Sequence, residues 1–148
     1  SKTGWCVDPL NQELLANVLK QAINDKTKRS KYGFQAQKKF LESSDVFVMP
    51  SYKVNESIEG FGISYVEAAA HRIPSIAGLD GGVTDAVIDS KTGWCVDPLN
   101  QEQLENVLKE AINNKDQRQK YGLAAEKKFS EDFLGEKVFR KFMDAISI

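Results

Sequence analysis

The fold is decided by residues 44–76, which read SDVFVMPSYKVNESIEGFGISYVEAAAHRIPSI. The continuous apolar run at residues 46–49 predicts a short strand that is buried on both faces, as in a parallel sheet. An amphipathic helix follows a polar loop, and Pro74 stands where a second strand begins, a position that a strand tolerates. The order strand, loop, helix, strand predicts one unit of an α/β fold.

Two carboxylates and two glycines in this stretch form a candidate ligand site. Glu59 precedes the helix and Glu67 lies about two turns into it, so both are predicted on the same side. Gly60 and Gly62 let backbone amides approach a ligand, and a helix N-terminus favours an anion. A sugar attached to a phosphate fits this combination, because carboxylates accept hydrogen bonds from hydroxyls while amides hold the phosphate. The alternative is a surface helix with two solvated glutamates.

A second pair of glycines extends the candidate site. Gly81 and Gly82 follow the next predicted strand and precede a short helix, predicted at residues 83–88. Ligands of open α/β sheets bind in the crevice outside the carboxyl ends of the strands. The pair is therefore predicted to line the same crevice as the glutamates.

An ordered series of motifs carries a family resemblance. DVFVMPS, EGFG, a second glutamate eight positions after the first, P-x-I, Gly81-Gly82 and TGWCVDP occur in this order. The series resembles the C-terminal domain of retaining GT-B glycosyltransferases of the group 1 type, from about Ser44 to the end of the chain. One position departs from the family pattern, since Asp85 stands where a glutamate is usual.

The resemblance implies a ligand and roles for individual residues. It implies a nucleotide-sugar donor as the substrate, with Glu59 contacting the hydroxyls of the donor sugar. Glu67 would bind the ribose, and the backbone of Gly60, Phe61 and Gly62 would face the diphosphate. Neither a metal nor a cofactor is expected.

Composition excludes several other classes of protein. The chain has 148 residues, 41% of them hydrophobic and 28% charged, as is ordinary for a globular protein. A formal charge of −1 gives no overall attraction for nucleic acid or anionic membranes, and no apolar run is long enough to span a membrane. Two cysteines without metal-ligand spacing indicate a reducing compartment, so we expect the protein in the cytoplasm.

The sequence contains a long internal repeat. Residues 1–40 match residues 90–129 at 30 of 40 positions, at a constant offset of 89. Two copies are too few for a solenoid. We interpret the repeat as a rearrangement or an engineered chimera, in which one βα segment is duplicated in front of half a domain. A natural tandem duplication is the alternative.

The two copies differ in charge and in two apolar residues. Residues 1–40 carry a net charge of +5 and residues 90–129 one of +1, whereas the segment between them, 41–89, carries −6. Leu14 and Phe34 replace a glutamine and a leucine of the second copy. The first copy is therefore predicted to pack against the acidic segment in a more buried setting. The alternative for the charges is sequence drift on a solvated face.

These observations predict a single α/β domain over residues 1–148, with a Rossmann-like parallel sheet of about four strands flanked by helices. The strands are predicted at residues 5–7, 46–49, 75–77 and 94–96. Right-handed crossovers place the last three side by side in chain order. The first strand is predicted beside residues 46–49.

Two functions remain open at this point. In the first, the chain is the donor-binding part of a glycosyltransferase and is not catalytically competent alone. The resemblance places the acceptor site in an N-terminal domain, and the basic residues that grip the donor phosphates upstream of DVFVMPS. In the second, the chain is an engineered or rearranged half-Rossmann unit with a structural role and no activity. The repeat also predicts a homodimer formed by exchange of segments.

Overall fold

The computed structural model describes residues 3–8, 10–53 and 61–146, which form two compact units divided between Ser43 and Ser44. The helices are α1 (Gln12–Asn24), α2 (Lys26–Glu42), α3 (Ile63–Ala70), α4 (Val83–Ala86), α5 (Gln101–Asn113), α6 (Lys115–Asp132) and α7 (Gly135–Ile146). The strands are β1 (Phe47–Met49), β2 (Ser75–Gly78) and β3 (Gly93–Val96). The boundary between the units lies close to the end of the first repeat. That the two units form one domain stays a prediction.

The second unit contains a parallel three-stranded sheet in the order β1-β2-β3. Val48 pairs with Ile76, and Ile76 pairs with Trp94. Every residue of β2 and β3 is buried, as expected when helices cover both faces of a parallel sheet. The α/β fold class is confirmed, and so is the arrangement of these three strands side by side in chain order.

Alternate residues of β2 and β3 build two separate cores. Ile76 and Trp94 point to the face covered by α5 and α6, where they pack against Tyr121. Ala77 and Cys95 point to the opposite face, in a cluster with residues of α3 and α4. The sheet is therefore sandwiched between helices, and its core lies within the second unit.

The strand predicted at residues 5–7 is wrong. These residues have no regular secondary structure, although the counterpart of the same sequence, Trp94–Val96, lies in β3. A strand is stabilised by hydrogen bonds to a neighbouring strand, and β2 supplies them only to the second copy. The sheet described here therefore has three strands, and the predicted pairing beside residues 46–49 is not formed.

The local packing of the two copies is nevertheless the same. The rings of Trp5 and Tyr32 meet edge to face with centroids 4.8 Å apart, and those of Trp94 and Tyr121 do so at 4.9 Å. Both helix pairs also start with an asparagine cap, at Asn11 and at Asn100. What the first copy lacks is the sheet, not the local structure.

The prediction that Leu14 and Phe34 are buried is also wrong. Their exposed fractions are 44% and 66%, and α1 contains no buried residue. A pair of helices has room for only a small core between them. The apolar side chains on their outer faces therefore stay exposed.

The two cysteines occupy equivalent positions in different surroundings. Cys6 is exposed, whereas Cys95 is buried in β3 and donates its backbone N–H to the carboxylate of Asp89 over 2.8 Å. Burial, with a smaller contribution from the negative charge of Asp89, raises the pKa of the Cys95 thiol to about 11.

This contrast predicts two classes of thiol. At pH 8, Cys6 should react with a thiol reagent on the order of 100-fold faster than Cys95, because the reagent attacks an accessible thiolate. Stopped-flow measurement with Ellman's reagent tests this, and Cys6→Ser should remove the fast phase alone. Two equally fast thiols in the folded chain would contradict the burial of Cys95.

Candidate functional site

The carboxyl ends of the three parallel strands define one edge of the sheet. β1 ends at Met49 and β2 at Gly78, so the loops that follow them leave from this same edge. Helices α3 and α4 begin after these two loops and pack against each other. The loops and the helix starts together form the candidate site.

Two contacts hold the loops together. A Cβ atom at Gly78 would lie well within 3.0 Å of the carbonyl oxygen of Ser51, so the close approach of these two backbone segments requires a glycine there. The backbone N–H of Lys53 donates to the carboxylate of Asp80 over 2.9 Å. These contacts hold the loop after β1 against the loop after β2.

Gly62 sets the start of α3. Its φ of +73° is left-handed, and a Cβ atom there would lie within 3.0 Å of the Tyr65 ring. Tyr65 is 1% exposed, its ring meets that of Phe47 edge to face, and its hydroxyl donates to the carbonyl of Met49. The start of α3 is therefore anchored to the end of β1.

Sequence reasoning missed Tyr65 as a positioning residue. Its place on the inner face of an amphipathic helix is typical of a core residue, and its partner on β1 is 16 positions away. The signal that could have revealed it is its hydroxyl, since a buried tyrosine normally requires a hydrogen-bond acceptor.

Helices α3 and α4 begin differently from the helices of the repeats. The repeat helices α1, α2, α5 and α6 each have an asparagine or aspartate cap whose side chain accepts from a backbone N–H. Gly62 and Gly82 stand at the same position of α3 and α4, without a side-chain cap. The N-cap residues of α3 and α4 thus bring no carboxylate or amide of their own to the helix start.

The predicted site residues divide into those that the structure describes and those that it does not. Glu67 is half-buried on α3 and belongs to the helix that Gly62 opens. Gly81, with a φ of +74°, and Gly82 lie in the loop between β2 and α4. Glu59 and Gly60 lie outside the described residues, so the pairing of Glu59 with Glu67 stays a prediction.

The side chain of Phe61 packs against the end of α6, while the prediction that its backbone faces a diphosphate stays a prediction. Phe61 is 37% exposed, and its ring meets the ring of Phe133 edge to face, with centroids 5.3 Å apart. A mainly apolar groove of about 450 Å³ lies beside the start of α3; it is lined by Phe61, Ile63, Val66, Asp132, Phe133 and Val138. The Phe61 side chain thus joins α3 to the end of α6.

Charged residues of both signs lie on the elements that begin or end at this edge of the sheet. Glu67, Asp80 and the exposed Asp85 supply carboxylates, and Lys53 supplies a cation in the loop after β1. The carboxylates can accept hydrogen bonds from the hydroxyl groups of a ligand.

Among the described residues, His, Cys, Asp and Glu side chains form no group of three that could hold a metal ion. Over the same residues, no helix combines the length and apolar character of a membrane span.

Solved structures share this fold at low sequence identity. HepE from Anabaena, in complex with UDP, superposes with a TM-score of 0.66 at 17% identity, over 89% of this chain and 37% of HepE. The C-terminal domain of the glycosyl transferase group 1 protein LpcC from Francisella tularensis gives a TM-score of 0.57 at 19% identity, over 85% of this chain and 65% of that domain.

Sequence comparison gives the family. A mannosyltransferase of Mycolicibacterium smegmatis, GDP-mannose-dependent and acting on phosphatidylinositol monomannoside, is 45% identical over 56 residues. Trehalose synthase of Pyrococcus furiosus is 29% identical over 108 residues. The matches cover 36% and 73% of this chain, but it spans only 15% and 24% of those relatives. The family model described as glycosyl transferases group 1 matches residues 33–128, more than half of the chain. The chain therefore belongs to the group 1 glycosyl transferase family.

Proposed function

We propose that this chain is the donor-binding part of a glycosyltransferase and that the crevice at the sheet edge binds a nucleotide-sugar. One observation carries the proposal: α3 starts at Gly62 in a left-handed conformation and is anchored by Tyr65 to the end of β1, whose following loop is bonded to the loop after β2. Such a start is preorganised for an anionic group, and family membership makes a diphosphate the natural candidate.

Each described residue has a role in this proposal. The amides at the start of α3, after Gly62, hold the diphosphate, and Gly81 and Gly82 border it from the loop after β2. Glu67 accepts hydrogen bonds from the ribose hydroxyls, since an ionised carboxylate offers only acceptors. Glu59 and Gly60 complete the site, with Glu59 at the hydroxyls of the sugar.

The relatives support the class of ligand and leave its base open. HepE is known in complexes with UDP and with UDP-glucose, whereas the mycobacterial relatives are GDP-mannose-dependent. We therefore propose a nucleoside diphosphate sugar as the class. Transfer to an acceptor is not proposed for this chain by itself, since it spans 15% and 22% of the first curated relatives.

Isothermal titration with UDP, GDP and ADP tests the proposal. We expect saturable binding of at least one nucleotide with a Kd on the order of 1 mM, about −4 kcal/mol, because backbone amides supply most of the contacts to the phosphates. Glu67→Gln should weaken that binding about tenfold, since hydrogen bonds to a charged group contribute about 1.5–3 kcal/mol.

A matched control variant distinguishes the specific effect of Glu67 from the general effect of removing a negative charge. Glu102→Gln removes the same charge from the exposed first turn of α5 and should leave the Kd unchanged. If no nucleotide saturates the chain at 10 mM, about ten times the expected Kd, the donor-binding proposal fails and the structural role remains. Equal losses in both variants would show that net charge, not Glu67, governs binding.

A further inference from the structure

Two glycines of the second copy are required by close backbone contacts. A Cβ atom at Gly93 would lie within 3.0 Å of a carbonyl oxygen of β2, and one at Gly122 would lie within 3.0 Å of the carbonyl oxygen of Arg72. Their counterparts in the first copy are Gly4 and Gly33, where a Cβ atom would meet nothing within 4 Å. The first copy thus carries glycines that suit the place of the second copy and that its own surroundings do not need.

The apolar face of the first copy likewise has the side chains that cover the sheet in the second copy, but they are less buried. Ala111, at the centre of the second copy's packing face, is 1% exposed, while its counterpart Ala22 is only half-buried. Tyr121 is 5% exposed, while Tyr32 is half-buried. The side chains that cover the sheet are therefore present twice, and the sheet is covered by one set.

We propose that residues 3–40 can take the place of residues 92–129 on a second copy of this chain. The first copy already holds the Trp5–Tyr32 ring pair that this place requires. The net charge of +5 on residues 1–40 also complements that of −6 on residues 41–89, which form the rest of the sheet. The occupant of the surface is thus a segment of another copy of the same chain.

The connection between the units decides in favour of another chain. Arg118 in α6 lies 3.9 Å from Asp45, just before β1, so that end of α6 is beside the start of β1. If α2 took the place of α6, Glu42 at the end of α2 would occupy the position of Glu131. That position lies about 20 Å along α6 from Arg118. The three steps from Glu42 to Asp45 span at most about 11 Å. An intact α2 therefore cannot reach that place on its own sheet.

Specific bonds favour the resident copy in the unaltered chain. Trp94 donates from Nε1 to Glu110 over 3.1 Å, and Arg72 pairs with Glu126 over 2.7 Å. The first copy has glutamines at both glutamate positions. Among the described residues, the Nε1 of Trp5 has no hydrogen-bond partner. The exchange is therefore expected when the resident copy is weakened and the chain is concentrated.

Gly122→Ala is the variant that tests the exchange, because it disables the second copy and leaves Gly33 in the first. We expect this variant to form a dimer as concentration rises, measured by size-exclusion chromatography with light scattering. In that dimer Cys6 should become protected from Ellman's reagent and Cys95 should become reactive, each by about tenfold or more. The two thiols thus report which copy occupies the sheet.

The double variant Gly33→Ala/Gly122→Ala is the matched control and should not form this dimer. Gly93→Ala, which disables the second copy at another contact, should form the dimer again. The proposal is overturned if Gly122→Ala and Gly93→Ala both stay monomeric or unfold without dimerising. It is also overturned if Cys6 stays reactive in the dimer, or if the double variant dimerises equally.

Discussion

Replacing Gly122 by alanine is expected to lower the free energy of unfolding of the second unit by about 2 kcal/mol. The added methyl group would lie against the backbone carbonyl of Arg72, and backbone cannot move aside as a flexible side chain can. Alanine normally favours a helix over glycine, so a loss of stability here has to come from the contact. Urea unfolding at low protein concentration, followed by labelling of Cys95, measures it for the second unit.

The first copy supplies a control of opposite sign. Gly33 stands at the equivalent position of α2 with open space where its Cβ atom would be. Gly33→Ala should therefore stabilise the first unit by about 1 kcal/mol, the difference in helix propensity. Equal effects of the two substitutions would contradict the different surroundings of the two copies.

Replacing Gly62 by alanine is expected to weaken nucleotide binding more than tenfold. The left-handed φ of +73° costs a residue with a side chain about 1 kcal/mol or more, and the new methyl group would meet the ring of the buried Tyr65. Relief of that contact would shift the start of α3 away from the end of β1. We expect the Kd for a nucleoside diphosphate to rise more than tenfold when UDP, GDP and ADP are titrated into the variant. A tenfold rise corresponds to a loss of about 1.4 kcal/mol of binding free energy.

Gly135→Ala is the control for this second variant. Gly135 begins α7, and a methyl group added there would meet nothing within 4 Å, so the substitution should leave both folding and binding unchanged. Unaltered binding by Gly62→Ala would mean that the start of α3 does not hold the ligand.

The local structure of this chain could be predicted from its sequence. The four asparagine and aspartate caps begin helices in both copies, because a cap depends on residues within one turn. The strands at 46–49, 75–77 and 94–96 agree with the structure to within one residue, because buried parallel strands consist of continuous apolar runs.

The failure at residues 5–7 has a physical cause. Trp5–Val7 and Trp94–Val96 have the same sequence, yet only the second segment lies in a strand. The difference is β2, which is bonded to the second segment, and no local pattern reveals which copy obtains that partner. The expected burial of Leu14 and Phe34 failed because the pair of helices α1 and α2 has room for only a small core between them.

The candidate site could be predicted only in part. The motif spacing identified the helix that carries Glu67 and the glycines that open α3 and α4. It did not identify Tyr65, or the bond from Lys53 to Asp80, because both join segments that are distant in the sequence. The positions of the glycines are readable in the sequence, whereas the contacts that fix them are not.

The most direct test of the nucleotide site is a nuclear magnetic resonance titration of the ¹⁵N-labelled chain with UDP and GDP. The donor-binding account predicts that the amide signals of Gly62, Gly81 and Gly82 shift progressively and saturate together, while those of Gly4 and Gly33 stay fixed. The account would be contradicted by saturating shifts confined to other residues. It would also be contradicted by the absence of shifts at nucleotide concentrations well above 1 mM, the Kd that corresponds to a binding free energy of about −4 kcal/mol.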